Sequence, residues 1–293
     1  MRRHPIIFGL LLLVIVGILF FLVISLMAFF TEGRKIISLK DQVGVVIIKG
    51  VIGKSREIID QLDKYGEDDD IKAVVLRIDS PGGAVVPSQE IYDKVLQLKK
   101  KKKVFTSMGS VAASGGYYIA CASDKIVANP GTITGSIGVI IQFPQAKELL
   151  KKIGLKSTVI KHGKYKDIGS PSRDMTSDER LLMQGVVDDI YDQFVEAVSL
   201  NRNIPKKKIE ALADGRIFSG RQALNLGLVD YVGNMEYTID LAARLSGIKG
   251  KPEVVYPKKR RLGLLRYLVK EIVSTVSREF REEETGIQYI YTN

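Results

Sequence analysis

The sequence is organised around the run Met108-Gly-Ser-Val-Ala-Ala-Ser-Gly-Gly-Tyr-Tyr-Ile-Ala-Cys121. Val104 to Met108 has the β-branched and aromatic character of a short buried strand, and Ala113 to Ala122 combines small and aromatic side chains that suit a closely packed helix. Ser114 lies in the turn between these two elements. At a helix N-terminus, unpaired N–H groups and the helix dipole favour the negative charge that develops when a hydroxyl attacks a carbonyl. The run therefore predicts either a nucleophilic serine or a serine that only caps its helix.

Two apolar runs ahead of this serine predict a parallel sheet. Val43 to Lys49 and Ala73 to Asp79 are continuous apolar stretches bounded by turn residues, which is typical of strands covered on both faces. Ser55 to Tyr65 and Ser88 to Leu98 carry apolar residues at helical spacing. This alternation predicts an α/β fold with a parallel sheet and crossover helices.

The second half of the chain carries weaker signals. Short strands are expected at Lys125–Ala128, Gly138–Ile141 and Ser157–Lys161, and helices at Gln145–Ile153 and Pro205–Ala213. The clearest signal is Thr176-Ser-Asp-Glu179, a capping box that predicts the start of an amphipathic helix. Its apolar face comprises Leu182, Val186, Ile190, Phe194 and Val198.

The start of the chain predicts a membrane anchor. Ile6 to Phe30 has no charged residue and follows Arg2, Arg3 and His4. A helix of this length can cross a bilayer core of roughly 30 Å, whereas the apolar part of a cleaved signal peptide has only about 7–15 residues. We therefore expect an uncleaved transmembrane signal anchor in the cell membrane, crossing once, with the folded domain facing outward.

The predicted anchor and the change in character after residue 250 divide the chain into three parts. Residues 1–30 are the expected anchor, residues 31–250 the folded α/β domain, and residues 251–293 a basic and amphipathic tail. The tail ends in an apolar segment, Gly286 to Tyr291, for which three interpretations stay open: it caps a neighbouring subunit, lies on the membrane, or is partly disordered.

The composition excludes several function classes. Lys and Arg outnumber Asp and Glu by 44 to 33, and part of the excess falls in Lys99–Lys103 and Lys258–Arg261. Such local patches indicate solvated surface or contact with an anionic membrane, and nothing in the sequence resembles a nucleic-acid-binding motif. We expect no nucleic-acid partner.

The scarcity of cysteine and histidine limits the chemistry further. Cys121 is the single cysteine, so neither an internal disulfide nor a thiolate metal cluster is possible. The two histidines are His4 and His162, so a Ser-His-Asp triad would have to use His162. We predict a site without metal or cofactor.

Other candidate groups lie in loops that follow predicted strands. Asp79-Ser-Pro-Gly-Gly83 leaves backbone N–H groups bare at a strand end, but it does not fit the dinucleotide or phosphate-loop patterns. Ser136 lies in a loop that can reach the same region. Lys164 and Lys166 are surface charges in the simplest interpretation, although a lysine that is neutral through burial can activate a serine.

The motifs together resemble the short, single-domain form of signal peptide peptidase A, a membrane-anchored serine protease with the fold of the Clp protease and the crotonases. The resemblance runs from about residue 43 to about residue 246 and includes Arg77–Gly83, Ser107–Tyr118, Gly135–Gly138, Gly163–Pro171, Gly215–Gly220 and Gly227–Asp230. The serine motif and a lysine motif 52 residues later form a specific signature.

The resemblance implies a role for each matching residue. Ser114 would be the nucleophile and Lys166 its general base, while Ser136 would orient the Lys166 amine. The backbone N–H groups of Gly83 and Gly115 would form the oxyanion hole. It also implies a homo-oligomeric ring or dome, in which Ser114 and Lys166 come from one chain or from adjacent chains. The implied substrates are hydrophobic remnants of cleaved signal peptides, and membrane lipid would surround residues 6–30.

Two other classes of function fit the same fold. A crotonase-type acyl-CoA enzyme would use the same Gly-Gly geometry, but it would normally be soluble and carry carboxylates at the site. A non-catalytic membrane scaffold is the other class, and in that case Ser114 would only cap its helix.

Overall fold

The computed structural model describes residues 12–23, 26, 41–257 and 288–290. The chain divides into two units, Met1–Leu39 and Lys40–Asn293. In the first unit, residues 12–23 are helical and their large apolar side chains are exposed. Among the described residues, no helix has both the length and the apolar character that a membrane crossing requires. Most of the rest of the predicted span from Ile6 to Phe30 lies outside the described residues.

The second unit alternates strands and helices. In chain order, the elements are β1 (Gln42–Lys49), α1 (Arg56–Glu67), β2 (Ile71–Ser80), β3 (Gly82–Ala84), α2 (Val85–Lys99), β4 (Lys103–Ala113), α3 (Gly115–Cys121), β5 (Lys125–Ala128), β6 (Ile133–Gly135), α4 (Lys147–Lys152), α5 (Ser177–Arg202), α6 (Lys206–Glu210), β7 (Ile217–Ser219), α7 (Gly220–Asn225), β8 (Tyr231–Val232), α8 (Met235–Leu245), β9 (Glu253–Val255) and β10 (Gln288–Ile290).

The main sheet has the order β7-β6-β4-β2-β1-β9; off this path, β5 pairs with β4, and β8 pairs with β5. Its strand pairs are parallel except for the pair formed by β6 and β7. Because β1, β2 and β4 are linked by crossover helices, the carboxyl ends of these strands meet at one edge of the sheet. The predicted α/β class with a parallel sheet and crossover helices is therefore confirmed.

Helices cover both faces of the sheet. On one face, a large apolar core joins β1, β2 and β4 to α1, α2, α3 and α5. On the other face, Val45, Val75 and Phe105 pack against α8 through Leu241 and Ala242. Burial on both sides explains why the first strands read as continuous apolar runs.

The predicted elements of the first half are confirmed and those of the second half only in part. Thr176 caps α5 with both hydrogen bonds of the capping box. The strands predicted at Gly138–Ile141 and Ser157–Lys161 are wrong, because neither segment forms a ladder in the described structure. Ile140 forms only an isolated β-bridge and is partly exposed, and Ile160 is almost fully exposed.

The expected tail from residue 251 begins as part of the main sheet. β9 pairs in parallel with β1. Residues 258–287 lie outside the described residues. The chain then returns as β10, which pairs antiparallel with β3.

Candidate active site

Ser114 lies at the edge of the sheet because β4 continues beyond its first, apolar half. Its first half, around Phe105, pairs with β5, and its second half, Val111–Ala113, pairs with β6. At the change of partner, the Asp79 carboxylate accepts a hydrogen bond from the Val111 N–H at 3.2 Å. A Cβ added at Gly109 would lie 2.7 Å from the same carboxylate, so a larger residue there would displace it. The strand can therefore continue past this break to the serine.

Ser114 has a strained backbone and an unpaired hydroxyl. Its φ is 51° and its ψ is −119°, a combination that non-glycine residues rarely adopt and that costs on the order of 1–3 kcal/mol. The residue is buried, and its Oγ has no hydrogen-bond partner within the described residues. The side chain does not cap α3. The helix-cap interpretation of Ser114 is therefore wrong.

Gly83 is the central residue of β3, a short strand that contacts α3, the helix that begins directly after Ser114. The Gly82 carbonyl accepts from the Ile52 N–H at 2.9 Å, and the Ala84 N–H donates to the Ile52 carbonyl at 2.8 Å. Since alternate residues of a strand present their N–H and C=O groups to opposite edges, those of Gly83 face away from Ile52. A Cβ added at Gly83 would lie 2.3 Å from the Ile52 carbonyl oxygen, so a larger residue does not fit.

The edge that Gly83 faces is occupied by the chain itself. β10 lies antiparallel along it, with Tyr289 opposite Gly83, and it also contacts α3, the helix that follows Ser114. An extended peptide added to a sheet edge is a common mode of peptide recognition. The edge of β3 can therefore hold a peptide backbone beside the serine hydroxyl.

Ser136 lies on the neighbouring strand end. β6 pairs with the end of β4, and the Ser114 N–H donates to the Gly135 carbonyl at 2.8 Å. Ser136 is buried, has a φ of 49°, and donates its N–H to the Arg216 carbonyl at 2.9 Å. It also lines an open cavity of about 540 Å³ between α5 and the loop around Asp214.

Lys166 is the candidate residue that the structure does not bring to Ser114. It lies in an exposed turn, and within the described residues its Nζ makes neither a hydrogen bond nor an ion pair. Lys164 is also exposed and pairs with Asp178 at 2.7 Å. His162 is exposed as well, and within the described residues it is not a hydrogen-bond partner of the Ser114 Oγ. Ser114, Gly83 and Ser136 thus converge in one chain, whereas Lys166 lies apart.

The helix behind Ser114 contributes structure and not reactivity. Burial raises the pKa of the Cys121 thiol to about 12, so this cysteine stays protonated at neutral pH. Tyr117 is buried as well, and its hydroxyl donates to the Leu228 carbonyl at 2.9 Å. Among the described His, Cys, Asp and Glu side chains, no three lie close enough together to hold a metal ion.

A strained serine at the end of a parallel strand, next to an edge that accepts a peptide backbone, is the arrangement of a serine peptidase. Comparison with known families agrees with this class. The model of peptidase family S49 matches residues 96–249, and the Clp protease model matches residues 34–133. The chain belongs to peptidase family S49.

Individual relatives point the same way. A candidate protease of Synechocystis is 45% identical over 212 residues, which cover 72% of this chain and 76% of the relative. A candidate signal peptide peptidase A of Enterococcus faecium is 41% identical over 63% of this chain and 54% of its own length. The chloroplastic serine protease SPPA of Arabidopsis thaliana is 33% identical over 71% of this chain and 33% of its own length. The predicted resemblance to signal peptide peptidase A and the assignment as a serine peptidase are confirmed.

Sequence reasoning missed two features of this site. The β10 segment pairs with β3 across more than 200 residues of sequence, and a three-residue strand gives no periodic signal. The ion pairs that hold the Lys166 turn were also missed. The capping box at Thr176 was the only sequence signal near them.

Proposed function

We propose that this protein is a membrane-anchored serine endopeptidase with a Ser-Lys dyad, in which Ser114 is the nucleophile and Lys166 the general base. The observation that carries the proposal is the buried, unpaired hydroxyl of Ser114, on a strained backbone beside a sheet edge that already holds an extended segment. A merely structural serine would be expected to satisfy its hydroxyl.

The proposed mechanism is acyl transfer. A substrate adds as a strand along β3, which brings its carbonyl to the Ser114 Oγ. Neutral Lys166 takes the serine proton as Oγ attacks, and the N–H groups of Gly83 and Gly115 stabilise the oxyanion. The protonated lysine then gives its proton to the leaving amine, and water hydrolyses the acyl-enzyme. Ser136 holds the lysine amine in place.

The base comes from an adjacent chain in this proposal. Lys166 is exposed and makes no hydrogen bond or ion pair within the described residues, while Ser136, next to the Ser114 strand end, lines the cavity beside α5. The segment that leads to Lys166 also exposes apolar side chains, among them Leu149, Ile153 and Ile160. A large exposed apolar patch is typical of an interaction surface. We infer a homo-oligomer in which this segment of one copy covers the serine of the next.

The anchor and the substrate class rest on the sequence and the relatives. We propose that residues 1–30 anchor the protein in the cell membrane, that residues 31–250 form the extracytoplasmic peptidase, and that residues 251–293 form a tail. A relative named as a signal peptide peptidase supports hydrophobic remnants of signal peptides as substrates. Such peptides are extended and apolar, which suits binding along β3.

Turnover of a hydrophobic fluorogenic peptide by the full chain tests the proposal. Ser114→Ala and Lys166→Ala are each expected to abolish hydrolysis, and Lys164→Ala to leave it close to wild type because its pair with Asp178 is exposed. Subunit mass recorded on the same samples shows whether assembly is intact. Full activity of either Ser114→Ala or Lys166→Ala would refute the dyad.

A further inference from the structure

The turn that carries Lys166 is tied to the rest of the chain through the next residue, Asp167. Nε of Arg173 donates to Oδ2 of Asp167 at 2.8 Å, and Nη2 donates to Oδ1 at 2.9 Å and to the Asp167 carbonyl at 3.2 Å. A bidentate pair of this kind fixes orientation as well as distance. Lys161 donates to the same carboxylate.

The other edge of the same guanidinium binds Glu179. Nη1 donates to Oε2 of Glu179 at 2.8 Å and Nη2 to Oε1 at 2.5 Å. Glu179 is held in turn by the first turn of α5, because its Oε2 accepts from the Thr176 N–H at 2.9 Å and its side chain is only 4% exposed. Nη1 also donates to the Asp174 carbonyl at 3.0 Å, so each nitrogen of the guanidinium has an acceptor.

Both carboxylates stay ionised at any pH at which a lysine base could act. The hydrogen bonds from Arg173 and then from the Thr176 N–H lower the pKa of Glu179 to about 2. Hydrogen bonds from Arg173 and Lys161 hold the pKa of Asp167 well below its usual range. The connection from Asp167 through Arg173 to Glu179 is therefore permanent at neutral pH.

A second pair connects the same turn to the same helix start, and it provides a comparison. Lys164 and Asp178 lie 2.7 Å apart, but their side chains are 65% and 66% exposed. Exposed pairs of this kind contribute little because water screens them. The Asp167 and Glu179 side chains are far less accessible, at 13% and 4%.

We propose that Arg173 is a positioning residue for Lys166: it fixes the Lys166 turn to the N-terminus of α5, so that the amine is presented at the angle needed to reach Ser114 of an adjacent copy. This inference rests on the proposed role of Lys166 as the base. Within the turn itself, the backbone bonds are local, such as Lys166 N–H to the Gly163 carbonyl at 3.3 Å. Arg173 therefore supplies the well-covered side-chain connection from this turn to the start of α5.

The test compares Arg173→Ala, Asp167→Asn and the matched control Lys164→Ala with wild type and Lys166→Ala, in one assay of peptide turnover by the full chain. We expect Arg173→Ala to lower kcat on the order of 10- to 100-fold, because small misplacements of a catalytic group have effects of this size. KM should stay within about twofold, since the peptide-binding edge of β3 is untouched. Asp167→Asn should lower kcat in the same way, and Lys164→Ala should not.

Two additions separate positioning from folding. Millimolar guanidinium chloride should restore part of the lost kcat in Arg173→Ala, and the same concentration of potassium chloride should not. If Arg173→Ala fails to assemble, the kcat of Asp167→Asn tests the positioning role instead. This variant keeps the pair between Arg173 and Glu179 and changes only the connection to the Lys166 turn.

The outcomes distinguish this inference from the proposed function. Wild-type kcat in both Arg173→Ala and Asp167→Asn, together with an inactive Lys166→Ala, would overturn the positioning role and leave the dyad intact. A rise in KM without a fall in kcat would overturn it as well. Full turnover by Lys166→Ala would instead refute the dyad and, with it, the reason for positioning Lys166.

Discussion

Ser114 has a backbone and a hydroxyl that both cost stability, and this cost is expected where function requires it. Ser114 has a positive φ although it is not a glycine, and its Oγ is buried without a hydrogen-bond partner within the described residues. By contrast, the buried Ser80 hydroxyl of the same sheet edge is hydrogen-bonded to the Gly82 N–H at 3.1 Å. The two buried serines therefore differ in whether the hydroxyl oxygen has a hydrogen-bond partner.

This contrast predicts opposite effects on stability. A buried hydroxyl without a partner costs about 1–3 kcal/mol, so Ser114→Ala should raise the thermal midpoint by a few degrees while it abolishes activity. Ser80→Ala removes a satisfied hydroxyl and should lower the midpoint. Thermal unfolding followed by circular dichroism measures both. A lower midpoint for Ser114→Ala would show that its hydroxyl is satisfied in solution.

Gly83 is the second residue for which the geometry makes a sharp prediction. A Cβ at this position would lie 2.3 Å from the Ile52 carbonyl oxygen and 2.5 Å from the Ile52 nitrogen, so β3 would have to move. Gly83→Ala is therefore expected to lose most of its peptide turnover and some thermal stability. Gly131→Ala is the control, because nothing lies within 4 Å of the Cβ that it adds. Equal behaviour of the two variants would contradict the close approach at Gly83.

At the scale of elements, the sequence predicted the strands and helices whose pattern lies within a few neighbouring residues. It did not predict features that depend on residues far apart in the chain. The strand–serine–helix arrangement around Ser114 was predicted because its pattern is contained in about a dozen neighbouring residues. The full length of β4 was not predicted, since Gly109 and Ser110 interrupt the apolar run. Gly109 is tolerated because the Asp79 carboxylate occupies the space that a side chain there would need.

The two wrong strands have a common physical reason. Gly138–Ile141 and Ser157–Lys161 carry β-branched residues. Such residues favour a packed, half-buried position, but they do not identify the strand or surface that packs against them. In the described chain Ile160 is almost fully exposed. A single sequence does not show whether the surface that packs on these side chains belongs to the same chain or to another copy.

The pairing of β10 with β3 predicts competition with substrate. A peptide that adds along β3 needs the edge that residues 288–290 occupy. Deletion of residues 286–293 should therefore lower KM for a hydrophobic peptide severalfold and leave kcat unchanged. Steady-state kinetics of the full chain and the deletion variant measure this. An unchanged KM would show that the segment and the substrate do not share the edge.

At the scale of the whole molecule, the described chain does not join the proposed nucleophile to the proposed base. Ser114, Gly83 and Ser136 converge at one sheet edge, and Lys166 lies on an exposed turn with no partner of its own within the described residues. No sequence pattern could have given the distance between the serine and the lysine, because in our proposal that distance is set by assembly. In this proposal, a complete catalytic site forms only between two chains.

The measurement that tests this claim most directly is the mixing of two inactive variants. Ser114→Ala and Lys166→Ala are purified separately, dissociated, mixed in equal amounts and reassembled, and peptide turnover is compared with that of each variant treated alone. Sites that combine an intact Ser114 with an intact Lys166 from the next copy should restore about a quarter of wild-type activity in a randomly mixed ring. A mixture that assembles fully and stays inactive would contradict a site shared between chains.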